Sequence, residues 1–139
     1  MVFRRVNLTN GMHVSGTVVV IDVLRAFTTA AYLFAAGVED IALVSSIEEA
    51  IIIKHSHPDF LLAGEFNSYP IQDFDFGNSP SSFLNVDLHE KHFIQRTTCG
   101  TQGVVQSILA SDILLASLCC VSATARYINK QRCQTINFK

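Results

Sequence analysis

Short β-branched runs alternate with helix-forming runs along almost the whole chain, and this alternation limits the fold more than any other feature. The segments 17–22 (TVVVID), 40–45 (DIALVS), 59–65 (DFLLAGE), 92–97 (HFIQRT) and 112–117 (DILLAS) are short and rich in apolar residues. That pattern reads as strands buried on both faces. Between them lie 26–37 (AFTTAAYLFAAG), 46–56 (SIEEAIIIKHS), 101–111 (TQGVVQSILAS) and 121–130 (VSATARYINK), which read as helices. Gly37 is placed to close the first helix. Ser46 with Glu49 three positions on forms a capping box for the second. The segment 133–138 (CQTINF) starts a sixth strand, and 66–80, with two of the three prolines, reads as a long loop. Strands and helices in this order predict one α/β domain over residues 1–139. Its architecture is layered α/β/α with a mostly parallel or mixed sheet, and its crossovers are right-handed.

Composition excludes several classes. Of 139 residues, 49% are hydrophobic, enough to build a core and too many for a disordered chain. The net charge of −2 comes with scattered Lys and Arg, so no basic stripe points to nucleic acid and no basic amphipathic helix to a membrane surface. Asp22, Asp40, Glu48 and Asp112 interrupt the apolar runs, and the stretch after Arg4 and Arg5 (VNLTNGMHVSG) is no leader core, which makes the cytoplasm the expected location. Cysteines 99, 119, 120 and 133 lack CxxC spacing and are expected to be reduced thiols. His55, His57, His89 and His92 have no companion cluster that would complete a metal site.

The polar residues gain meaning from the βα frame. Asp22 and Arg25 follow one strand, Glu65 ends another, Arg96, Thr97 and Thr98 end a third, and Ser117 ends a fourth. In a parallel sheet these carboxyl ends share one edge, where ligands of open α/β sheets bind. Each element also has a purely structural reading. Asp22 can cap the following helix with Arg25 as its ion partner. Alternatively, Asp22 and Glu65 suit a hard cation such as Mg²⁺, and Arg25 faces a bound anion in two-point contact. The turn RTTCGTQG (96–103) leads into a helix amino end that favours negative charge, although it lacks the GK[ST] of a Walker loop. In GNSP (77–80), Ser79 can cap a helix that starts at Pro80, or Asn78 and Ser79 can hydrogen-bond a substrate. Cys99 reads as an ordinary turn residue, since Val104 stands where a phosphatase loop built on a cysteine has its arginine.

VVVIDVLRAFTT, LLAGE, FDFGNSP and RTTCGTQG occur in the order and spacing of the 2-phosphosulfolactate phosphatase (ComB-like) family, which the chain resembles from about residue 17 to about residue 125. The resemblance implies a layered α/β fold and Mg²⁺-dependent hydrolysis of a small phosphorylated 2-hydroxy acid, on a route to coenzyme M. It gives catalytic roles to Asp22, Arg25 and Glu65, with Asp22 and Glu65 holding the metal. It assigns substrate binding to Asn78, Ser79, Arg96, Thr97, Thr98, Gly100, Thr101 and Ser117. The chain departs from the family pattern at Phe27, Phe66, Asp73, Cys99 and Cys120. Family members also continue beyond the point where this chain ends, so the resemblance covers their amino-terminal portion. An incomplete sheet leaves an open edge, which favours self-association into homo-oligomers. The alternative to an active phosphatase is a truncated or degenerate relative that binds a small anion without turnover.

Overall fold

A computed structural model describes residues 1–9 and 14–139; residues 10–13, part of the stretch read above as no leader core, lie outside the described residues. The strands are β1 (Val2–Arg5), β2 (Thr17–Ile21), β3 (Asp40–Leu43), β4 (Leu61–Gly64), β5 (Phe76–Gly77), β6 (His92–Arg96), β7 (Asp112–Ala116) and β8 (Thr135–Phe138). The helices are α1 (Ala26–Ala35), α2 (Ile47–Ser56), α3 (Gly100–Val105) and α4 (Val121–Gln131), with a 3₁₀ turn over Pro80–Phe83. No helix among the described residues is long and apolar enough to cross a membrane.

The α/β class and the parallel pairing agree with the sequence. Among the described residues the six pairs of named strands are all parallel. The expected single rim is corrected, because the strands divide between two sheets, ordered β1-β8-β2-β7 and β3-β6-β4-β5. α1 explains the division. Its Ala26 and Phe27 pack with Val18 and Val20 of β2, while its Leu33 packs with Ala63 of β4 and Phe93 of β6. A helix apolar on more than one side can serve two sheets. Along each central strand the faces alternate. Val18 and Val20 point toward α1, and Val19 points toward α4 through Ile128. Phe93 of β6 joins the α1 side, and Ile94 joins Ala50 of α2. Both faces of the central strands β2 and β6 are therefore covered, as continuous apolar strands require.

The punctuation also follows local chemistry. Gly37, at φ +94°, donates to the Phe34 carbonyl at 3.0 Å, and Val38 N–H reaches the Leu33 carbonyl at 3.2 Å, so α1 ends in a Schellman motif. Ser46 Oγ accepts the Glu49 N–H at 3.1 Å, and the Glu49 carboxylate reaches back one residue further than a standard box, to Ser45 N–H at 2.9 Å. The helix expected over 101–111 is shorter. The Ser107 hydroxyl donates to the Gly103 carbonyl at 2.7 Å and the Ser107 N–H to Val104 at 2.8 Å, which tightens and ends α3. β1 was invisible as a strand because all four of its residues are exposed at the sheet edge.

Candidate active site

The carboxyl end of β2 in one sheet faces those of β4, β5 and β6 in the other. The gap between them is a cavity of about 170 Å³, whose walls include Asp22, Arg25, Glu65, Asn78, Thr98 and Cys99, with Ser68 beside Glu65. A second, wider lobe of about 400 Å³ shares Arg25, Glu65, Ser68 and Asn78 and adds Ser79. Arg25 and Glu65 therefore border both lobes.

Asp22 begins as the structural reading has it. Its Oδ1 accepts the first N–H of α1, that of Ala26, at 3.1 Å. The ion pair of that reading does not form: among the described residues the Arg25 guanidinium has no hydrogen-bond or ion-pair partner, and the residue is exposed. Burial pushes the Asp22 carboxyl above its ordinary value. The nearby Glu65 charge adds to this push, and the Ala26 N–H opposes it.

Glu65 is held much more tightly. The chain doubles back after it in a two-residue turn, in which Phe66 and Tyr69 exchange backbone hydrogen bonds of 2.9 and 3.0 Å. Asn67 and Ser68 both take positive φ, 51° and 69°, as a type I′ turn requires. This turn aims the Ser68 N–H at Glu65 Oε2, 2.6 Å away. From the opposite side Thr98 gives its N–H to Oε1 at 2.6 Å and its hydroxyl to Oε2 at 2.9 Å. Burial alone raises the Glu65 carboxyl, but these three hydrogen bonds and the Arg96 charge outweigh it and hold the group below its ordinary value. Glu65 is a fixed carboxylate at neutral pH.

The other predicted residues separate into lining and support. Asn78 is buried, and its Oδ1 faces Gln95 Nε2 at 3.4 Å, which leaves its amide N–H₂ for the cavity. Ser79 occupies the cap position before Pro80 without capping; its hydroxyl lies 3.0 Å from that of Ser81. Arg96 lies behind the wall: its Nη1 donates to the Glu65 carbonyl at 3.0 Å and its guanidinium stacks 4.7 Å from the Phe66 ring centre. Thr97 and Thr101 bind one another, Thr97 N–H to Thr101 Oγ1 at 3.0 Å and Thr101 N–H to Thr97 Oγ1 at 3.1 Å. The turn thus spends on itself donors that the sequence offers to an anion. Gly100 is tightly enclosed. A Cβ there would lie 2.6 Å from Ala26 Cβ and 2.8 Å from Asp22 Oδ2, so the glycine lets α3 approach the carboxylate. Ser117 is not brought to the cavity; its hydroxyl lies 2.9 Å from Cys119 Sγ.

Three contributors went unread in the sequence. Asn67 and Ser68 form the turn, and Asn before a small residue is the signal for it. Gln95 is fully buried in β6, and its Nε2 also donates to the Ala26 carbonyl at 3.1 Å, so one amide ties the start of α1 to Asn78. A polar residue inside HFIQRT was the available signal. Among the described residues no three His, Cys, Asp or Glu side chains converge. That excludes a closed tetrahedral cage built from these side chains but suits Mg²⁺, which is commonly held by one or two carboxylates, with waters and substrate oxygens filling its shell. Asp22 Oδ2 receives no hydrogen bond among the described residues, and two like charges on one cavity favour a cation between them.

Fold and cavity define an α/β protein with a charged cleft where the carboxyl ends of parallel strands from two sheets meet. A model of the family described as 2-phosphosulpholactate phosphatase matches residues 3–138, and the chain belongs to that family. A "Probable 2-phosphosulfolactate phosphatase" of Bacillus subtilis (strain 168) is 35% identical over 112 residues, covering 81% of this chain and 49% of the relative. The protein of the same name from Caldanaerobacter subterraneus subsp. tengcongensis is 39% identical over 121 residues, 86% of this chain and 50% of the relative. That from Carboxydothermus hydrogenoformans is 40% identical over 113 residues, 81% of this chain and 47% of the relative. The chain thus spans about half the length of the curated relatives it matches.

Proposed function

We propose that the cleft binds a phosphate monoester of a small 2-hydroxy acid and supports its Mg²⁺-dependent hydrolysis; the phosphatase part of this reading is supported by relatives named probable 2-phosphosulfolactate phosphatase. The observation that carries this reading is Arg25: an exposed guanidinium with no partner among the described residues, bordering the same small cavity as two carboxylates. A guanidinium in that position offers two parallel N–H donors to a phosphoryl group. Asp22 and Glu65 would hold Mg²⁺, which when bound supplies Lewis-acid polarisation of a phosphoryl oxygen. Glu65 cannot turn away, because Thr98 and Ser68 fix both of its oxygens. Asn78 directs its amide N–H₂ at an acceptor in the cleft, and Ser79 in the wider lobe offers a hydroxyl to the acid part of the ester. Gln95 and Arg96 do not touch the ligand; they set the positions of Asn78 and Glu65. Fixed donors of this kind stabilise charge that develops on the phosphoryl oxygens without reorganising during reaction.

The test is phosphate release from 2-phosphosulfolactate by the purified chain, with Mg²⁺ and with a chelator. Release with Mg²⁺ that stops on chelation is the expected result. Binding of the ester without release would assign the cleft to anion capture instead, and release indifferent to the chelator would remove the metal from the reading.

A further inference from the structure

Two thiols lie outside the cleft and take no part in the proposed hydrolysis. Cys119 is exposed and Cys120 half-buried, where the chain turns from β7 into α4. Both sulfurs surround one side chain: the Ser117 hydroxyl is 2.9 Å from Cys119 Sγ and 3.5 Å from Cys120 Sγ. Cys120 Sγ also receives the Ser117 N–H at 3.2 Å. Cys120 occupies the cap position of the eleven-residue helix α4 but its sulfur makes no capping hydrogen bond; its S–H can donate to the Ser117 and Leu115 carbonyls at 3.6 and 3.8 Å. Burial raises the Cys120 thiol, yet hydrogen bonds from the Ser117 hydroxyl and N–H, from Thr124 and from Cys119 outweigh it and hold the thiol below its ordinary range. The remaining cysteines lack this setting. Among the described residues Cys133 receives one side-chain hydrogen bond, from Thr17 Oγ1 at 3.4 Å, and Cys99 lines the cleft with no other thiol beside it.

We propose that Cys119 and Cys120 are a peroxide-reactive pair, in which Cys120 is oxidised first and Cys119 closes a disulfide onto it. The Cys120 thiolate attacks one oxygen of hydrogen peroxide; the O–O bond breaks, hydroxide leaves, and Cys120 becomes a sulfenic acid. The Cys119 thiolate then attacks the Cys120 sulfur; the S–S bond forms, the S–O bond breaks, and the oxygen leaves as water. Two thiols lose two electrons, and the peroxide is reduced to two waters.

The experiment treats the whole chain with limiting hydrogen peroxide in the presence of dimedone, a sulfenic-acid trap, followed by peptide mass mapping. The wild type should lose about 2 Da from the peptide holding both cysteines and retain little dimedone. Cys119→Ser should carry dimedone on Cys120, and Cys120→Ser should lose the response at this peptide. Modification of Cys99 or Cys133 ahead of Cys120 would overturn the proposal. So would a wild-type peptide that keeps both thiols, a result that needs no variant to fold.

Discussion

Gly64→Ala should destabilise the protein by at least about 3 kcal/mol, through the strain of a β-carbon in this backbone region and the overpacking it causes. Gly64 sits at φ +154°, and its β-carbon would fall on the carbonyl of Arg96, its partner in the parallel ladder between β4 and β6. Relief requires the two strands to part at the position where the Glu65 N–H donates to the Arg96 carbonyl at 3.0 Å. The same movement would loosen the hold of Thr98 and Ser68 on Glu65. Thermal or urea unfolding measures the loss, and a variant as stable as the wild type would show that the strands tolerate the added atom.

The second large effect belongs to Asp22. Its carboxyl titrates above the ordinary 3.8 in the folded chain. The folded state therefore holds that proton more firmly than the unfolded state. The resulting stability is full below the ordinary value and is lost as pH rises through the raised one, so at neutral pH the charged group works against the fold. Asp22→Asn keeps an oxygen for the Ala26 N–H and removes that charge. On the proposed reading, Mg²⁺ raises the melting temperature of the wild type; the variant should melt at the same temperature as the wild type or higher, show no such rise, and release phosphate about 10²–10³-fold more slowly, the usual consequence of deleting one fixed electrostatic group from a reacting centre. Function and stability then pull in opposite directions at one residue. Turnover and a Mg²⁺ response unchanged from wild type would take Asp22 out of the site.

The core strands β2, β3, β4, β6 and β7 and the helices were legible because their periodicity is strong, and because capping chemistry marked the end of α1 and the start of α2; β1 and the two-residue β5 were not. The division into two sheets was not. Nothing in the alternation says which parallel neighbour a strand selects, and only packing shows that Phe27 and Leu33 of one helix serve different sheets. In the cleft, Asp22, Arg25 and Glu65 could be read as strand endings, and Asn78 as a candidate hydrogen-bonding residue of the GNSP stretch. The residues that fix them could not, because Ser68 acts through a backbone N–H and Gln95 through a contact 69 residues away in sequence. Arg96 and Thr97 were legible as polar but not as buried supports, since a side chain at a strand end can turn to either side of the backbone.

The most direct measurement titrates a phosphorylated 2-hydroxy acid into the wild type and into Arg25→Ala by calorimetry. Arg25 is exposed and has no partner among the described residues, so its removal should leave the melting temperature unchanged. Affinity should fall about 10–100-fold, the loss expected when a charge-assisted hydrogen-bond donor to a phosphate is deleted. Equal, measurable affinities in the two proteins would contradict the assignment of Arg25 as the anchor of the anion.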